Sequence, residues 1–146
     1  MFRGSASTKI DDRGRLKMPA EFRRLLTENW GKDLFLTSVY GDCALVYPLT
    51  AWEEHERKLA SLPQTMPAKQ RYLSRVNYFG QQASMDAQGR VVVSPILREA
   101  TEMVGEVVVF GSINHLEVWN HTSFQSKLEE DPLTTDDLEA LSGLGI

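Results

Sequence analysis

The sequence predicts an α+β fold, mainly β, in which a β-β-α-β-β unit occurs twice and helices flank each copy. Three observations lead there. The word Asp11-Asp12-Arg13-Gly14-Arg15-Leu16 returns 75 positions later as Asp86-Ala87-Gln88-Gly89-Arg90-Val91, so both read D-x-x-G-R followed by an apolar residue. The same offset pairs Met18 with Val93, Phe22 with Leu97 and Arg23 with Arg98. Further on, Leu34-Phe35-Leu36-Thr37 is echoed by Val107-Val108-Val109-Phe110, and Val46-Tyr47-Pro48-Leu49-Thr50-Ala51-Trp52 by Val118-Trp119-Asn120-His121-Thr122-Ser123-Phe124, after a change in loop length. A repeat of this length outranks any single motif because it decides the architecture.

Each element follows from local chemistry. Ser7-Thr8-Lys9-Ile10 is β-compatible, and Asp12-Arg13-Gly14 is a turn in which glycine supplies a positive φ. Arg15 to Met18 then alternates polar and apolar residues, which predicts a β-hairpin with a basic outer face. In the second copy Ala83–Met85 leads to a turn at residues 87–89 and returns through Val91-Val92-Val93, a strand apolar on both faces and therefore expected to be more buried. Pro19 and Pro95 stand where a first helical residue belongs, with Ser94 as an N-cap. Phe22, Leu25 and Leu26 form the apolar stripe of the first helix; Leu97, Ala100 and Val104 form that of its counterpart. Gly31 and Gly105 end these helices. Strands are expected at 33–37, 43–47, 106–110 and 115–119.

Thr50-Ala51-Trp52-Glu53 and Thr122-Ser123-Phe124-Gln125 both read as capping boxes that start a helix after each unit. The first of these helices runs to about residue 60. Pro63 and Pro67 punctuate, and a second helix covers 67–78 with Tyr72, Val76 and Phe79 on one face. The last helix stops near Asp131-Pro132, and residues 134–142 form a further turn or two. The expected organisation is a first repeat over 5–52, a helical linker over 53–80, a second repeat over 82–124, and a C-terminal helix with an acidic tail over 125–146. A four-stranded unit of this size buries too little to stand alone, so the two copies should pack as a pseudo-symmetric pair.

Composition limits the function. No stretch is long and apolar enough to span a bilayer, and Met1-Phe2-Arg3-Gly4-Ser5 lacks the apolar core of a signal peptide, so the expected location is the cytoplasm. One cysteine, Cys43, excludes an internal disulfide and a cysteine-rich metal site, and it reads as a packed, inert thiol. His55, His115 and His121 have no ligand-like spacing, and no nucleophile elbow, zinc-protease helix or phosphate-binding loop is present. No catalytic residue, metal or cofactor is therefore expected. Tyr47, Trp52 and Trp119 are read as core residues. Asp11 and Asp86 are read as acceptors within their own turns, or as partners of the Arg four residues on.

The net charge is −4, but it is polarised. Residues 1–24 hold seven basic side chains against three acidic ones, whereas no basic residue follows Lys127. Screening limits the reach of distant charges to about 8–10 Å, so a local basic face can hold phosphate despite an acidic total. The two copies also differ in charge. Gly89 and Arg90 are kept, but Gln88 replaces Arg13 and Val92 replaces Lys17. The shared Asp, Gly and Arg form a structural frame; the surplus cations of the first copy are the functional candidates. The basic candidates for holding phosphate are Arg3, Lys9, Arg13, Arg15 and Lys17, with Arg23, Arg24 and Arg90 in a second tier. The competing reading is a protein-interaction scaffold whose acidic tail holds a partner.

With the opening Met1-Phe2-Arg3-Gly4, the paired D-x-x-G-R words and the closing Tyr47-Pro48-Leu49-Thr50-Ala51-Trp52, the chain resembles the MraZ family, bacterial proteins built from two SpoVT-AbrB repeats. The resemblance covers nearly the whole chain. It departs at Arg13, where Lys is usual and the charge is kept, and in the acidic tail, to which nothing is carried over. It implies an AbrB-like swapped-hairpin barrel and a head-to-tail homo-oligomeric ring, expected as an octamer. It also implies binding to double-stranded DNA at tandem short G-rich repeats upstream of the division and cell-wall gene cluster. The consequence would be nucleoid association and regulation of that cluster, as a repressor of its own operon.

Overall fold

Eight strands and six helices alternate in the order the repeat demands, and the computed structural model describes all of residues 1–146. The first copy contributes β1 (Ser5–Ile10), β2 (Arg15–Lys17), α1 (Ala20–Asn29), β3 (Asp33–Thr37) and β4 (Ala44–Pro48). Helices α2 (Leu49–Ala60) and α3 (Pro67–Tyr78) follow. The second copy contributes β5 (Gln81–Ser84), β6 (Arg90–Val92), α4 (Pro95–Ala100), β7 (Gly105–Gly111) and β8 (Leu116–Asn120), and then come α5 (His121–Glu130) and α6 (Thr135–Ser142).

The strands form one antiparallel sheet in the order β5-β3-β4-β8-β7-β1-β2-β6, curled into a nearly closed barrel. The first strand of each copy pairs with the third strand of the other: β1 runs along β7 over six residue pairs, and β5 along β3. The two second strands, β2 and β6, pair with each other. This is the swapped-hairpin arrangement that the family resemblance implies, and within it the hairpin expected from residues 7–18 is kept only at its turn. β1 and β2 share a single rung, Ile10↔Leu16, before they part to different partners. The reason is burial: Leu16 and Val91 are both sealed from solvent, and only cross-copy pairing brings both into one core.

The barrel seam lies between β5 and β6, the two ends of the sheet. There the Gln81 side chain takes the place of backbone pairing. Its Nε2 donates to the Val92 carbonyl at 2.9 Å, and its Oε1 accepts from the Ser94 amide. Bridging the two edges in this way leaves no long open strand for aggregation.

Nineteen buried residues drawn from both copies fill the core, including Leu16, Leu26, Leu34, Leu36 and Val46 from the first and Val91, Val93, Leu97, Val107 and Val118 from the second. The flanking helices dock at equivalent places. Trp52 of α2 stacks on Phe35 at 4.5 Å and meets Tyr47 edge-on at 5.0 Å. Phe124 of α5 packs on Phe110 at 5.1 Å and Trp119 at 5.6 Å.

Several local expectations are corrected. α4 ends at Ala100, so Val104 lies beyond it and is exposed, and Ala100 faces solvent; Met103 fills the core instead. β6 is not buried on both faces, because Val92 points outward. The two expected capping boxes do not form. α2 starts one residue before Thr50 on Pro48, and α5 is capped by the Asn120 side chain, which accepts from the Ser123 amide at 3.0 Å. The strand-to-helix junction is too tight for Thr50 or Thr122 to stand outside the helix. A true capping box sits in the tail, between Thr134 and Asp137.

Candidate nucleic-acid interface

The two D-x-x-G-R words are two copies of one turn. In the first, the Asp11 carboxylate accepts the amides of Arg13 at 3.0 Å and Arg15 at 2.8 Å, and Arg15 Nε at 2.6 Å. In the second, the Asp86 carboxylate accepts the amides of Gln88 at 2.8 Å and Arg90 at 2.9 Å. Gly14 and Gly89 close the turns at φ +78° and +76°, each donating to the carbonyl of its Asp at 3.0 Å. The backbone donor at Arg15 is the main reason that Asp11 titrates below the ordinary carboxylate value; the donor at Arg90 does the same for Asp86. Both roles expected of these carboxylates, turn acceptor and arginine partner, are present.

The turns lead into β2 and β6, which form a short two-stranded ribbon with Arg15 opposite Val92, Leu16 opposite Val91 and Lys17 opposite Arg90. Two further bonds extend it symmetrically, Met18 N to Gly89 O at 2.9 Å and Val93 N to Gly14 O at 2.8 Å. A pseudo-two-fold axis therefore passes through the Leu16–Val91 rung, with one turn at each end. Side chains alternate across a strand, so Leu16 and Val91 face the core while Arg15, Lys17, Arg90 and Val92 share the outer face. Arg13 stands exposed at the tip of the first turn, where the second has Gln88.

The other candidates are placed as follows. Lys9 is exposed on β1, across from Glu106 on β7 and not ion-paired with it. Arg3 is exposed beside Phe2, which is buried and bridged to Ile113. Arg23 is occupied: its Nη2 donates to the Ala87 carbonyl at 2.6 Å, and its side chain lies across Gly89. Arg24 is held between Glu21 and Glu28, 3.2 Å from each, and Glu21 is the main cause of its raised pKa. Arg90 is looser than Arg15, its Nε lying 3.7 Å from Asp86 and without a hydrogen-bond partner.

One structural residue escaped the sequence reading. Arg98 lies over Gly14 as Arg23 lies over Gly89, so each copy's helix braces the other copy's turn. The signal was the Arg23–Arg98 match in the repeat. Its meaning stayed hidden because the contact crosses between copies.

A swapped, two-repeat β-barrel presenting a one-sidedly basic ribbon defines the class. Comparison with known proteins gives the family. The family described as "MraZ protein, putative antitoxin-like" matches residues 1–75 and 80–142. The chain is 49% identical over its full length to the full-length transcriptional regulator MraZ of Acidobacterium capsulatum. It is 45% identical to that of Koribacter versatilis and 34% identical to that of Escherichia coli strain K12, again with both chains fully covered. The chain belongs to the MraZ family, whose compared members carry the name of transcriptional regulators and not of enzymes. No helix is long and apolar enough to cross a membrane.

Proposed function

We propose that this chain is a sequence-specific DNA-binding transcriptional regulator of the division and cell-wall gene cluster. It binds tandem short G-rich direct repeats upstream of its own operon and represses it, acting in the cytoplasm on the nucleoid. The observation that carries this reading is the outer face of the β2–β6 ribbon, where Arg15, Lys17 and Arg90 stand together and Arg13 caps one end. The major groove of DNA admits a two-stranded ribbon. Arg13 or Arg15 donates bidentately to guanine O6 and N7, an arrangement that discriminates by about 1–3 kcal/mol. Arg15 keeps both Nη groups free for this, since Asp11 engages only Nε. Lys17, Lys9 and Arg3 contact phosphates and set register. Arg90 joins the face from the second copy. Arg23 and Arg24 play a lesser part because their guanidinium groups are already engaged.

One ribbon makes few contacts, so a single subunit binds weakly. Subunits joined head to tail into a ring, read as an octamer, present several ribbons at fixed spacing, and tandem sites gain through effective concentration. The deciding experiment is a footprint of the purified protein on its own upstream region across a salt series. Protected short G-rich direct repeats, with affinity falling steeply as salt rises, are expected. Absence of protection, or salt-independent binding, overturns the proposal.

A further inference from the structure

The most conspicuous surface outside the ribbon is the tail. Residues 131–146 bury no side chain, and α6 makes no side-chain hydrogen bond or ion pair to any other element. Leu138 and Leu141 lie one turn apart on α6 and are exposed, as are Leu133, Leu144 and Ile146. An eight-residue helix has no independent stability in water, so a well-capped, leucine-bearing helix left bare calls for a partner surface.

The chain carries a surface of matching chemistry. Residues 57–78 contain Arg57, Lys58, Lys69, Arg71 and Arg75 and no acidic residue; residues 128–146 contain six acidic residues and no basic one. Lys69 is buried and donates to the Leu62 carbonyl, but the other four cations are exposed and enter none of the chain's ion pairs. Arg71, Arg75 and Tyr78 recur at i, i+4 and i+7 along one exposed face of α3, and Leu62 and Met66 are exposed in the turn that precedes it. These two blocks occupy equivalent places, one after each repeat, yet carry opposite charge and both expose apolar side chains.

We propose that the acidic, leucine-bearing tail around α6 docks on the basic α2–α3 face of a second copy of this chain. Each subunit offers one tail and one receptor, so the contact is heterologous and propagates head to tail until the rotation closes. The leucines and Ile146 cover Leu62, Met66 and Tyr78, and Asp136 and Glu139 face Arg71 and Arg75. This inference rests on the self-association part of the function proposed above and names the surfaces that carry it.

The test measures mass in solution by light scattering after size exclusion. The full chain is expected to run as a multimer, and a chain ending at Glu130 as a monomer. Two reversed variants, Arg71→Glu/Arg75→Glu and Asp136→Lys/Glu139→Lys, are each expected to be monomeric because tail and receptor then repel. Mixed in equal amounts, they regain complementary pairs and the multimer returns. If the truncated chain keeps the full multimer mass, or the mixture stays monomeric, the docking is overturned. Circular dichroism of each variant guards against misfolding. Binding to a single G-rich site by fluorescence anisotropy separates the two readings. A monomeric variant that still binds weakly keeps the DNA proposal, whereas a multimer without DNA affinity refutes the DNA proposal alone.

Discussion

Gly14→Ala tests the turn on which the candidate interface is built. Gly14 sits at φ +78°, where an L-residue costs roughly 1–2 kcal/mol more than glycine. A Cβ there would stand 2.6 Å from Arg98 Nη1 and 3.0 Å from the Val93 carbonyl oxygen. The guanidinium is the end of a flexible side chain and can swing aside. The carbonyl cannot, because the Val93 amide is bonded to Gly14 O at 2.8 Å and the Val93 side chain is buried in the core. Overpacking of that kind costs about 1–3 kcal/mol, so the sum is roughly 2–5 kcal/mol. At about 2–4 °C per kcal/mol for a chain near this length, Tm should fall by about 4–20 °C. Gly31→Ala is the control. Its φ is +93° with nothing within 4 Å of the added Cβ, so it carries only the first cost, about 1–2 kcal/mol. Calorimetry of the two variants beside the parent reads the difference. A Gly14→Ala protein no less stable than Gly31→Ala would refute the close packing between turn and opposing helix.

Two further outcomes are expected. Arg15→Ala should weaken binding to the G-rich site by about 5–150-fold while barely changing affinity for random duplex, as loss of a bidentate guanine contact requires; equal losses on both in a titration would reassign Arg15 to phosphate. Stability should also fall as the solution is acidified below neutrality. His55 and His115 flank Tyr47, with centroids at 6.3 and 4.5 Å, and His55 Nε2 lies 2.8 Å from the Tyr72 hydroxyl. Burial lowers both imidazole pKa values from the ordinary 6.5. The unfolded chain therefore takes up protons first, so this stabilisation is complete above pH 6.5 and is lost as the pH falls from there through the folded values. Tm measured between pH 7.5 and 5.5 should drop, and His115→Phe, which keeps the stack on Tyr47, should flatten the profile; an unchanged slope in the variant would remove His115 from the account.

How much of this was legible in the sequence depends on the range of the interaction. Turns, strand limits and helix 67–78 followed from local chemistry, since glycine, proline and residue alternation act over a few positions. The frame of Asp, Gly and Arg was legible for the same reason. Pairing was not. Arg15–Met18 alternates whether its neighbour is β1 or β6, and only the joint burial of Leu16 and Val91 selects β6. The outward turn of Val92 was missed because three valines in a row carry no alternation signal, whereas its partner Arg15 fixes the face. The engagement of Arg23 was equally invisible, since its acceptor, Ala87, lies 64 residues away in the other copy.

The pseudo-symmetry of the ribbon, and the way charge breaks it, also bears on the kind of operator. A ribbon with matching charges at both ends would present the same face in either orientation and favour sites with two-fold symmetry. Here one end carries Arg13 and Arg15, the other Gln88 and Arg90, and across the axis Lys17 is matched by Val92. Such a ribbon has a direction, which suits direct repeats read by a head-to-tail assembly. Gln88→Arg/Val92→Lys restores the symmetry without burying charge, since Gln88 is exposed and Val92 is 55% exposed. Each added phosphate contact steepens the dependence of log K on log salt by about 0.9, so two should steepen it by nearly 2. Affinity for random duplex should rise, and an inverted repeat should approach the direct repeat in affinity. Anisotropy titrations on direct, inverted and random duplexes over a salt series measure all three. An unchanged salt slope would show that the outer face of the β2–β6 ribbon does not lie against DNA.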